Sequence, residues 1–344
     1  MSNSGTAPAI TVTTADYHTA GEPFRIVTGG TPDIPGNTVL ERREYAINND
    51  EIDSFRQLLV NEPRGHADMY GGFIVPPDDS GAHFGVLFWH KDGFSTACGH
   101  GTIALGAWAV NAGRVAAAED GDTDVVIDVP SGRVTARVFC RSGKVEHVSF
   151  GNVPAYVLGR SIPVETSRGK VLADLSYGGA IYASVRADSV GLSVKPENYA
   201  DLLALGREVK WALQATEWAR HPSERRLDGI YATILYDDLG MTPDGPHQRN
   251  VAVFADGQVD RSPCGSGTSA RVALLADDGT LKSGQVLVHE SIVSTRFLAR
   301  VVENVTAEGR DAVISEVRSM AYRTGEHTFV LDAEDPVGTG FVLR

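Results

Sequence analysis

Residues 98–104 read Cys-Gly-His-Gly-Thr-Ile-Ala, and residues 264–270 read Cys-Gly-Ser-Gly-Thr-Ser-Ala. The cysteine, both glycines, the threonine and the final alanine agree between the two stretches, so the chain contains an internal repeat. Two of its three cysteines occupy the equivalent position of that repeat, which is difficult to attribute to chance. A duplicated structural turn, in which the thiols are only small buried groups, is the alternative reading.

Each copy of the motif has similar surroundings in the sequence. Phe88 and Phe254 each lie ten residues before their cysteine, in short apolar runs that predict strands. Small apolar residues follow each motif and predict a buried helix, at Thr102–Asn111 in the first copy. We therefore expect two similar halves, each containing a strand, a loop, the Cys-Gly-x-Gly-Thr motif and a buried helix.

The remaining pattern predicts a mixed α/β (α+β) chain. Apolar residues at helical spacing predict helices at Val39–Leu58 and Glu197–Gln214. A Pro-Ser-Gly turn between two apolar runs predicts a hairpin of Val125–Val129 and Val134–Phe139. Further short strands are expected at Ala9–Val12, Phe73–Pro76, Gly85–Trp89, Val145–Phe150, Gly179–Val185, Ile230–Leu235, Val251–Phe254, Gln285–Val288, Ala299–Val305 and Ala312–Ser315.

The composition of the 344 residues is that of an ordinary globular protein, with 42% apolar and 22% charged residues. The length favours two domains. A formal net charge of −13 argues against nucleic-acid and anionic-membrane partners, because both require a basic face. No apolar run approaches a membrane span, and residues 1–9 do not resemble a signal peptide. Three cysteines cannot form a disulfide framework, so we expect a cytoplasmic protein in a reducing compartment.

The glycine-rich motifs have a chemical meaning at the start of a helix. Backbone N–H groups at a helix N-terminus lack partners within the helix and favour an anion, such as a carboxylate. The same position is expected to lower the pKa of a cysteine thiol. If the two helix ends face one cleft, a bound carboxylate places one thiol on each side of the adjacent carbon. One thiolate could then remove the Cα proton while the opposite thiol supplies another.

Two other kinds of protein could use parts of this pattern. A carboxylate-binding protein without activity could use the same helix ends, but it would not require two thiols. His18, His66, His83 and His90 match no familiar metal-ligand spacing, so no metal site is expected. No cofactor is strictly required by the two-thiol chemistry, and none is expected. Cys140 lies in an apolar run and is expected to be a small strand residue.

Several segments resemble the signature motifs of the proline racemase family, which includes proline racemases, hydroxyproline 2-epimerases and trans-3-hydroxyproline dehydratases. The two cysteine motifs carry the resemblance, as Ala97–His100 and Asp260–Arg271. It extends to His18–Pro23, Asn61–His66 and Asp68–Gly71, and so covers most of the chain. The resemblance implies a fold like diaminopimelate epimerase, with two similar halves that are each a curled β-sheet around a central helix, and with the site between them.

The resemblance also implies roles for individual residues. Cys98 and Cys264 would be the two acid/base residues, and His100 and Asp260 match positions that contact the substrate amine. The carboxylate would be bound by the loop positions Gly99, His100, Gly265 and Ser266. The family's usual second loop reads Gly-Thr-Gly, so Ser266 departs from the pattern while it keeps a hydroxyl.

The side chain at position 264 bears on the choice among the family's activities. In the dehydratase branch the second position typically resembles threonine, so Cys264 favours 2-epimerisation. Several flanking segments, such as Gly85–Phe88 and Asp68–Gly71, resemble the dehydratase branch instead. Aromatic walls at Tyr70 and Phe254 would pack a pyrrolidine ring, and the Tyr70 hydroxyl could bond a ring hydroxyl.

We therefore expect a cofactor-independent 2-epimerase of trans-4- or trans-3-hydroxy-L-proline, with proline as a weaker substrate and trans-3-hydroxy-L-proline dehydration as the alternative. The expected ligand is a small cyclic imino acid, and a homodimer is one possible state of assembly. The first half would span residues 1–150 and the second 151–335, with residues 336–344 returning to the first. A site between two halves further predicts that they close over the ligand.

Overall fold

The computed structural model describes residues 10–343, which form 18 strands and five α-helices. The first repeat contains β1 Ile10–Thr19, β2 Glu22–Gly29, α1 Val39–Ile47, α2 Asp50–Val60, β3 Gly71–Val75, β4 Phe84–His90, β5 Gly93–Phe94, α3 Gly99–Asn111, β6 Gly121–Val129, β7 Gly132–Arg141 and β8 Lys144–Gly151. The second contains β9 Ala155–Thr166, β10 Gly169–Tyr177, β11 Ile181–Arg186, α4 Tyr199–Gln214, β12 Ile230–Thr242, β13 Gly245–Phe254, β14 Gln258–Asp260, α5 Gly265–Asp277, β15 Leu287–Ser291, β16 Arg296–Ala307 and β17 Arg310–Ser319. The last strand, β18, is Ala321–Leu331.

The order of strands and helices repeats between the two halves. Strands β2 and β3 are parallel and are connected through α1 and α2, and β11 and β12 are parallel and are connected through α4. Strands β4 and β6 are parallel across α3, and β13 and β15 are parallel across α5. Each cysteine motif enters the second of these crossover helices. The internal repeat that the two cysteine motifs predict is confirmed.

Helices α3 and α5 are the central helices of the two halves. All but the last two residues of each helix are buried, which explains their small and apolar composition. At Gly106 an added Cβ would lie 2.6 Å from the Cβ of Ala136 on β7, so this face of α3 must be small. Helix α3 packs against β1, β2, β7 and β8, whereas α5 packs against β9, β10, β16 and β17.

The strands curl around these two helices. In the first half the order is β18-β1-β2-β3-β4-β6-β7-β8. In the second half, β9-β10-β11-β12-β13-β15-β16-β17 closes on itself, because β17 also pairs with β9. Strand β17 pairs with β8 as well and so belongs to both sheets. The expected fold class, two similar halves with a curled sheet around a central helix, is confirmed.

The structure differs from the sequence-based prediction in several elements. The single helix expected over Val39–Leu58 is wrong, because the chain leaves α1 at Asn48 and starts α2 at Asn49. The Asn49 side chain caps α2 by accepting a hydrogen bond from the Ile52 N–H. Strands β2, β9, β10 and β18, with the short β5 and β14, have no counterpart in the prediction. Strand β18 is mostly polar and exposed, so its sequence lacks the apolar alternation of a buried strand.

The ends of the chain bear on the expected division into halves. Strand β18 pairs with β1 along its length, so the chain is back against the first half from Ala321 onward. The boundaries 1–150 and 151–335, with a returning segment at 336–344, remain a prediction. Ala9, the start of the expected first strand, lies outside the described residues. Within residues 10–343, no helix is both long and apolar enough to cross a membrane.

Candidate active site

The N-termini of the two central helices meet at the boundary between the halves. An added Cβ at Gly99 would lie 2.5 Å from the Gly265 Cα, and one at Gly265 would lie 2.6 Å from the Gly99 Cα. Only glycine allows this approach of one backbone to the other. Each helix end carries a partial positive charge of roughly half an elementary charge, so the two ends favour a shared anion. The facing helix ends therefore concentrate partial positive charge at one place between the halves.

Cys98 is the N-cap residue of α3, and its side chain is 5% exposed. Its Sγ accepts a hydrogen bond from the Gly101 N–H at 3.3 Å and lies 3.4 Å from His100 Nδ1. Burial raises the pKa of the Cys98 thiol well above its usual range, and the hydrogen bond from Gly101 partly opposes this rise. The expectation of a lowered pKa for Cys98 is wrong, because burial raises the thiol pKa by more than the helix N-terminus lowers it.

Cys264 is the N-cap residue of α5 and is likewise 5% exposed, but its surroundings differ. Its φ angle of 62° lies in the left-handed region, whereas Cys98 is extended at −155°. Its Sγ lies 3.9 Å from the Tyr182 hydroxyl. Burial, followed by the nearby Asp260 carboxylate, raises the pKa of the Cys264 thiol. The two thiols are therefore equivalent in the repeat but not in their environments.

Asp260 and His100, which the sequence analysis predicts to contact the substrate amine, lie beside the thiols. The Oδ1 atom of Asp260 accepts hydrogen bonds from the Ser262 N–H at 2.8 Å and hydroxyl at 2.7 Å. Its Oδ2 atom is 4.0 Å from His100 Nδ1. Burial lowers the pKa of His100 to about 3, so the imidazole is neutral at pH 7. Burial also raises the pKa of Asp260 to about 6, so it is mainly a carboxylate at neutral pH.

Aromatic side chains surround the helix ends and include both residues expected from the sequence. Tyr70 lies 5.0 Å from the His100 ring and 5.7 Å from the Phe254 ring, between centroids. The ring of Tyr231 stacks on Phe254 at 5.9 Å and 13°. The Tyr70 hydroxyl is hydrogen-bonded to the hydroxyls of Tyr231, at 2.9 Å, and of Ser95. These contacts create an aromatic wall with one polar cluster of hydroxyl groups.

The sequence analysis did not identify four residues of this region. Tyr182 bonds the Ser266 hydroxyl at 2.7 Å and so holds the second cysteine loop. His90 packs against Tyr70, Tyr231 and Phe254. Ser95 and Tyr231 complete the hydroxyl cluster. In the sequence, Tyr182 and Tyr231 are ordinary strand residues, and only the fold brings them to the helix ends.

His18, His83 and Asp68 lie in structural contacts. His18 Nδ1 accepts a hydrogen bond from the Gly21 N–H at the β1–β2 turn, and His83 Nδ1 accepts one from the Val126 N–H. Asp68 forms an ion pair with Arg261 at 3.1 Å and joins the two halves. Within residues 10–343, no three His, Cys, Asp or Glu side chains are grouped in a way that could hold a metal ion.

The buried Asp260 leads to a prediction about stability. Its carboxyl pKa is raised from 3.8 to about 6, so the folded state binds the proton more tightly than the unfolded state. The free energy of unfolding should therefore fall as pH rises from about 4 to 6. Asp260→Asn removes this cost above pH 6, where we expect a gain of about 3 kcal/mol together with a large loss of activity.

Urea unfolding of the wild type and the Asp260→Asn variant at pH 4 and pH 7.5 measures the effect. The introduced amide keeps an oxygen acceptor for the two Ser262 donors, so the comparison isolates the charge. Asp33→Asn, an exposed substitution in the loop between β2 and α1, is the matched control and should change neither quantity. The prediction is wrong if the free energy of unfolding that Asp260→Asn gains over wild type is smaller at pH 7.5 than at pH 4.

The chain is similar to proline racemases along most of its length. The family model described as "Proline racemase" matches residues 14–342. A trans-3-hydroxy-L-proline dehydratase from Colwellia psychrerythraea is 42% identical over 97% of this chain and 93% of that protein. A 3-hydroxyproline 2-epimerase from Burkholderia multivorans is also 42% identical, over 97% of this chain and 98% of that protein.

A solved structure has the same fold. The hydroxyproline epimerase from Agrobacterium vitis, with bound trans-4-hydroxy-L-proline, superposes with a TM-score of 0.89 at 30% identity. The match covers 97% of this chain and 96% of that one. Family model, relatives and fold agree over nearly all of the sequence. The chain is an enzyme of the proline racemase family.

Proposed function

We propose that the enzyme is a cofactor-independent hydroxyproline 2-epimerase that uses Cys98 and Cys264 as its two acid/base residues. The observation that carries the proposal is the pair of cysteines at helix N-termini whose backbones touch. This arrangement supplies one carboxylate site and two thiols, which is what exchange of a Cα proton from one face to the other requires. A protein that only bound a carboxylate would not need both thiols.

The charge that develops during proton removal is the main obstacle to this reaction. The Cα proton of an amino acid is a very weak acid, so the enzyme must stabilise negative charge on the carboxylate. In the proposal, the unpaired N–H groups at the starts of α3 and α5 hold that carboxylate at Gly99, His100, Gly265 and Ser266. Burial of Cys98, His100, Cys264 and Ser266 strengthens these interactions, because charges are screened less away from bulk water.

The two thiols receive different roles at rest. Cys98 Sγ accepts a hydrogen bond from a backbone N–H, which favours a thiolate. Both thiols lie near a backbone N–H and near the Asp260 carboxylate, but the N–H of Gly101 outweighs Asp260 at Cys98, whereas Asp260 outweighs the N–H of Gly267 at Cys264 and favours a neutral thiol there. We therefore assign the resting base to Cys98 and the resting acid to Cys264. After one turnover the thiolate is Cys264, and reaction in the opposite direction restores the first state.

Asp260 and the aromatic wall would hold the rest of the substrate. In the proposal, Asp260 Oδ2 accepts a hydrogen bond from the ring ammonium group, and neutral His100 lies 4.0 Å from this oxygen. Phe254 and the Tyr70 ring offer flat apolar surfaces for a five-membered ring. The hydroxyl cluster of Tyr70, Ser95 and Tyr231 offers partners for a ring hydroxyl, which favours hydroxyproline over proline.

The relatives do not decide between epimerisation and dehydration, since three dehydratases and one epimerase are each 42% identical to this chain. The cysteine at position 264 favours epimerisation, because it supplies a proton acceptor and donor on the second face of Cα. Proton NMR in D₂O with trans-4-hydroxy-L-proline, trans-3-hydroxy-L-proline and L-proline tests the proposal. Loss of the Cα–H signal with appearance of the C2 epimer supports it, and conversion of the 3-hydroxy compound to a pyrroline product contradicts it.

The Tyr70 hydroxyl yields a prediction about specificity. In Tyr70→Phe, we expect kcat/KM for hydroxyproline to fall by about tenfold or more relative to that for proline, because one partner of the ring hydroxyl is lost. Tyr182→Phe is the matched control, since its hydroxyl bonds Ser266 rather than the ring cluster. That control should affect both substrates alike. An unchanged ratio of the two kcat/KM values in Tyr70→Phe would exclude Tyr70 as the hydroxyl-binding residue.

A further inference from the structure

A cavity of about 250 Å³ lies between the two halves, next to the aromatic wall. Its volume corresponds to about eight water molecules, which is the scale of one small amino acid. His90, Ser95 and Tyr231 line it and also belong to the surroundings of Tyr70. The cavity therefore adjoins the candidate active site, and the hydrogen-bonded hydroxyls of Tyr70 and Tyr231 lie at the boundary between them.

Lys210 and Arg43 bring two cations to this cavity, one from each half. Lys210, on α4, is only 6% exposed, and its Nζ lies 3.9 Å from the centroid of the Trp211 ring. Within residues 10–343, its ammonium group has no hydrogen-bond or ion-pair partner. The Arg43 guanidinium donates to two carbonyls, those of Phe94 at 2.9 Å and Arg226 at 3.0 Å. Among the described residues, no carboxylate forms an ion pair with Lys210 or Arg43.

The carboxylates that line the cavity have other partners. Asp92 lies 3.5 Å from the Lys91 ammonium and also accepts a hydrogen bond from the Asp256 N–H. Asp228 accepts a hydrogen bond from the His221 N–H at 2.7 Å. Burial lowers the pKa of Lys210, while Asp92 and Asp256 act in the opposite direction. A buried ammonium group without a paired anion is costly, so a small anion in the cavity would be favourable.

We propose that this cavity is an entry site, in which Lys210 and Arg43 hold the carboxylate of an incoming amino acid before it reaches the cysteines. The thiols are nearly fully buried, so a substrate must first occupy a more accessible position. The cavity brings two cations without carboxylate partners to such a position. The hydroxyls of Tyr70 and Tyr231 separate it from the helix ends. The inference rests on the proposed function only for the class of ligand, a small carboxylate.

Binding kinetics of pyrrole-2-carboxylate, a planar mimic of the deprotonated substrate, test the entry site. We expect Lys210→Met to lower the association rate constant by about fivefold at low salt, and less at high salt, because the variant lacks the attracting charge. The dissociation rate constant should fall in parallel, which leaves Kd and kcat within about twofold of wild type. Lys282→Met, an exposed substitution with the same loss of charge, should alter none of these values.

Two outcomes of these binding kinetics would overturn the assignment. The first is an unchanged association rate constant in Lys210→Met. The second is a loss of affinity for pyrrole-2-carboxylate well beyond twofold, which indicates a structural role for Lys210. Stopped-flow tryptophan fluorescence provides the rates, and none of them depends on turnover. A failed NMR assay for epimerisation would therefore contradict the proposed function without deciding the entry site.

Inorganic sulfate at constant ionic strength separates a general anion site from one that requires an amino acid. Sulfate that slows association in wild type but not in Lys210→Met supports an entry site open to free anions. An absence of any sulfate effect, together with the slower association in Lys210→Met, supports an entry site selective for the amino-acid carboxylate. Slowing by sulfate that persists unchanged in Lys210→Met would place the anion at the helix ends instead and overturn the proposal.

Discussion

Cys264→Ser is expected to lower kcat for epimerisation by about three orders of magnitude, and Cys98→Ser by a similar factor. A serine hydroxyl is a far weaker acid than a thiol, so it supplies no useful base near neutral pH. Positioned general acid–base catalysis contributes roughly 10²–10⁴ to a rate, and each substitution removes one of the two groups. Serine keeps the shape of the side chain, so binding of pyrrole-2-carboxylate should persist in both variants.

Cys140→Ser is the matched control for both cysteine variants. Cys140 is as buried as the other two, but it lies on β7 in the strand pairing with Gly121 and Val145. Its substitution should cost some stability and leave kcat unchanged. If Cys98→Ser and Cys264→Ser retain wild-type kcat while all three variants are folded, the two-cysteine mechanism is excluded.

The single variants also separate the two half-reactions. With one thiol left, we expect a substrate that presents its Cα–H to that thiol to exchange the proton with D₂O slowly, without inversion. Cys98→Ser and Cys264→Ser should then prefer opposite C2 epimers in this exchange. Proton NMR of both epimers with each variant records the preference. The same preference in the two variants would contradict their placement on opposite faces of Cα.

Gly99→Ala should produce the second large effect, a loss of kcat/KM of at least about 100-fold. Alanine normally stabilises a helix relative to glycine by up to about 1 kcal/mol. At this position the added Cβ would lie 2.5 Å from the Gly265 Cα and 2.7 Å from the Ser266 nitrogen, which are backbone atoms that cannot rotate away. The helix ends must therefore separate, and small displacements of catalytic groups have large effects on rate.

Gly151→Ala is the matched control in the same half. An added Cβ there would lie 3.7 Å from the nearest atom, the Thr135 carbonyl oxygen, which is an ordinary contact. Its kcat/KM should remain near that of wild type. Circular dichroism shows whether each variant is folded, and binding of pyrrole-2-carboxylate shows whether the carboxylate site survives. A folded Gly99→Ala enzyme with normal kcat/KM would show that contact between the helix ends is unnecessary.

Much of the candidate site could be predicted because its main residues lie within two short repeated motifs. The motif predicts that Cys98 and Cys264 begin equivalent buried helices, and the fold confirms this. Tyr231 and Tyr182 could not be predicted, because each joins the site only through the pairing of β11 with β12. A single sequence contains no signal for such long-range pairing when the residues themselves are ordinary strand residues.

The environments of the two thiols also lie beyond what the sequence can predict. Both motifs have the same pattern, so they predict equal thiols with lowered pKa values. The structure shows an extended Cys98 and a left-handed Cys264, and burial that raises both pKa values. The degree of burial depends on how closely the halves approach, which no local pattern encodes.

Strand β17 has a consequence for how the whole chain denatures. It pairs with β8 in the first sheet and with β9 and β16 in the second, so neither curled sheet is complete without it. Because melting of one half removes a strand from the other, we expect the two halves to unfold cooperatively in a single transition. On this expectation the repeated halves share one melting temperature, because they share one strand.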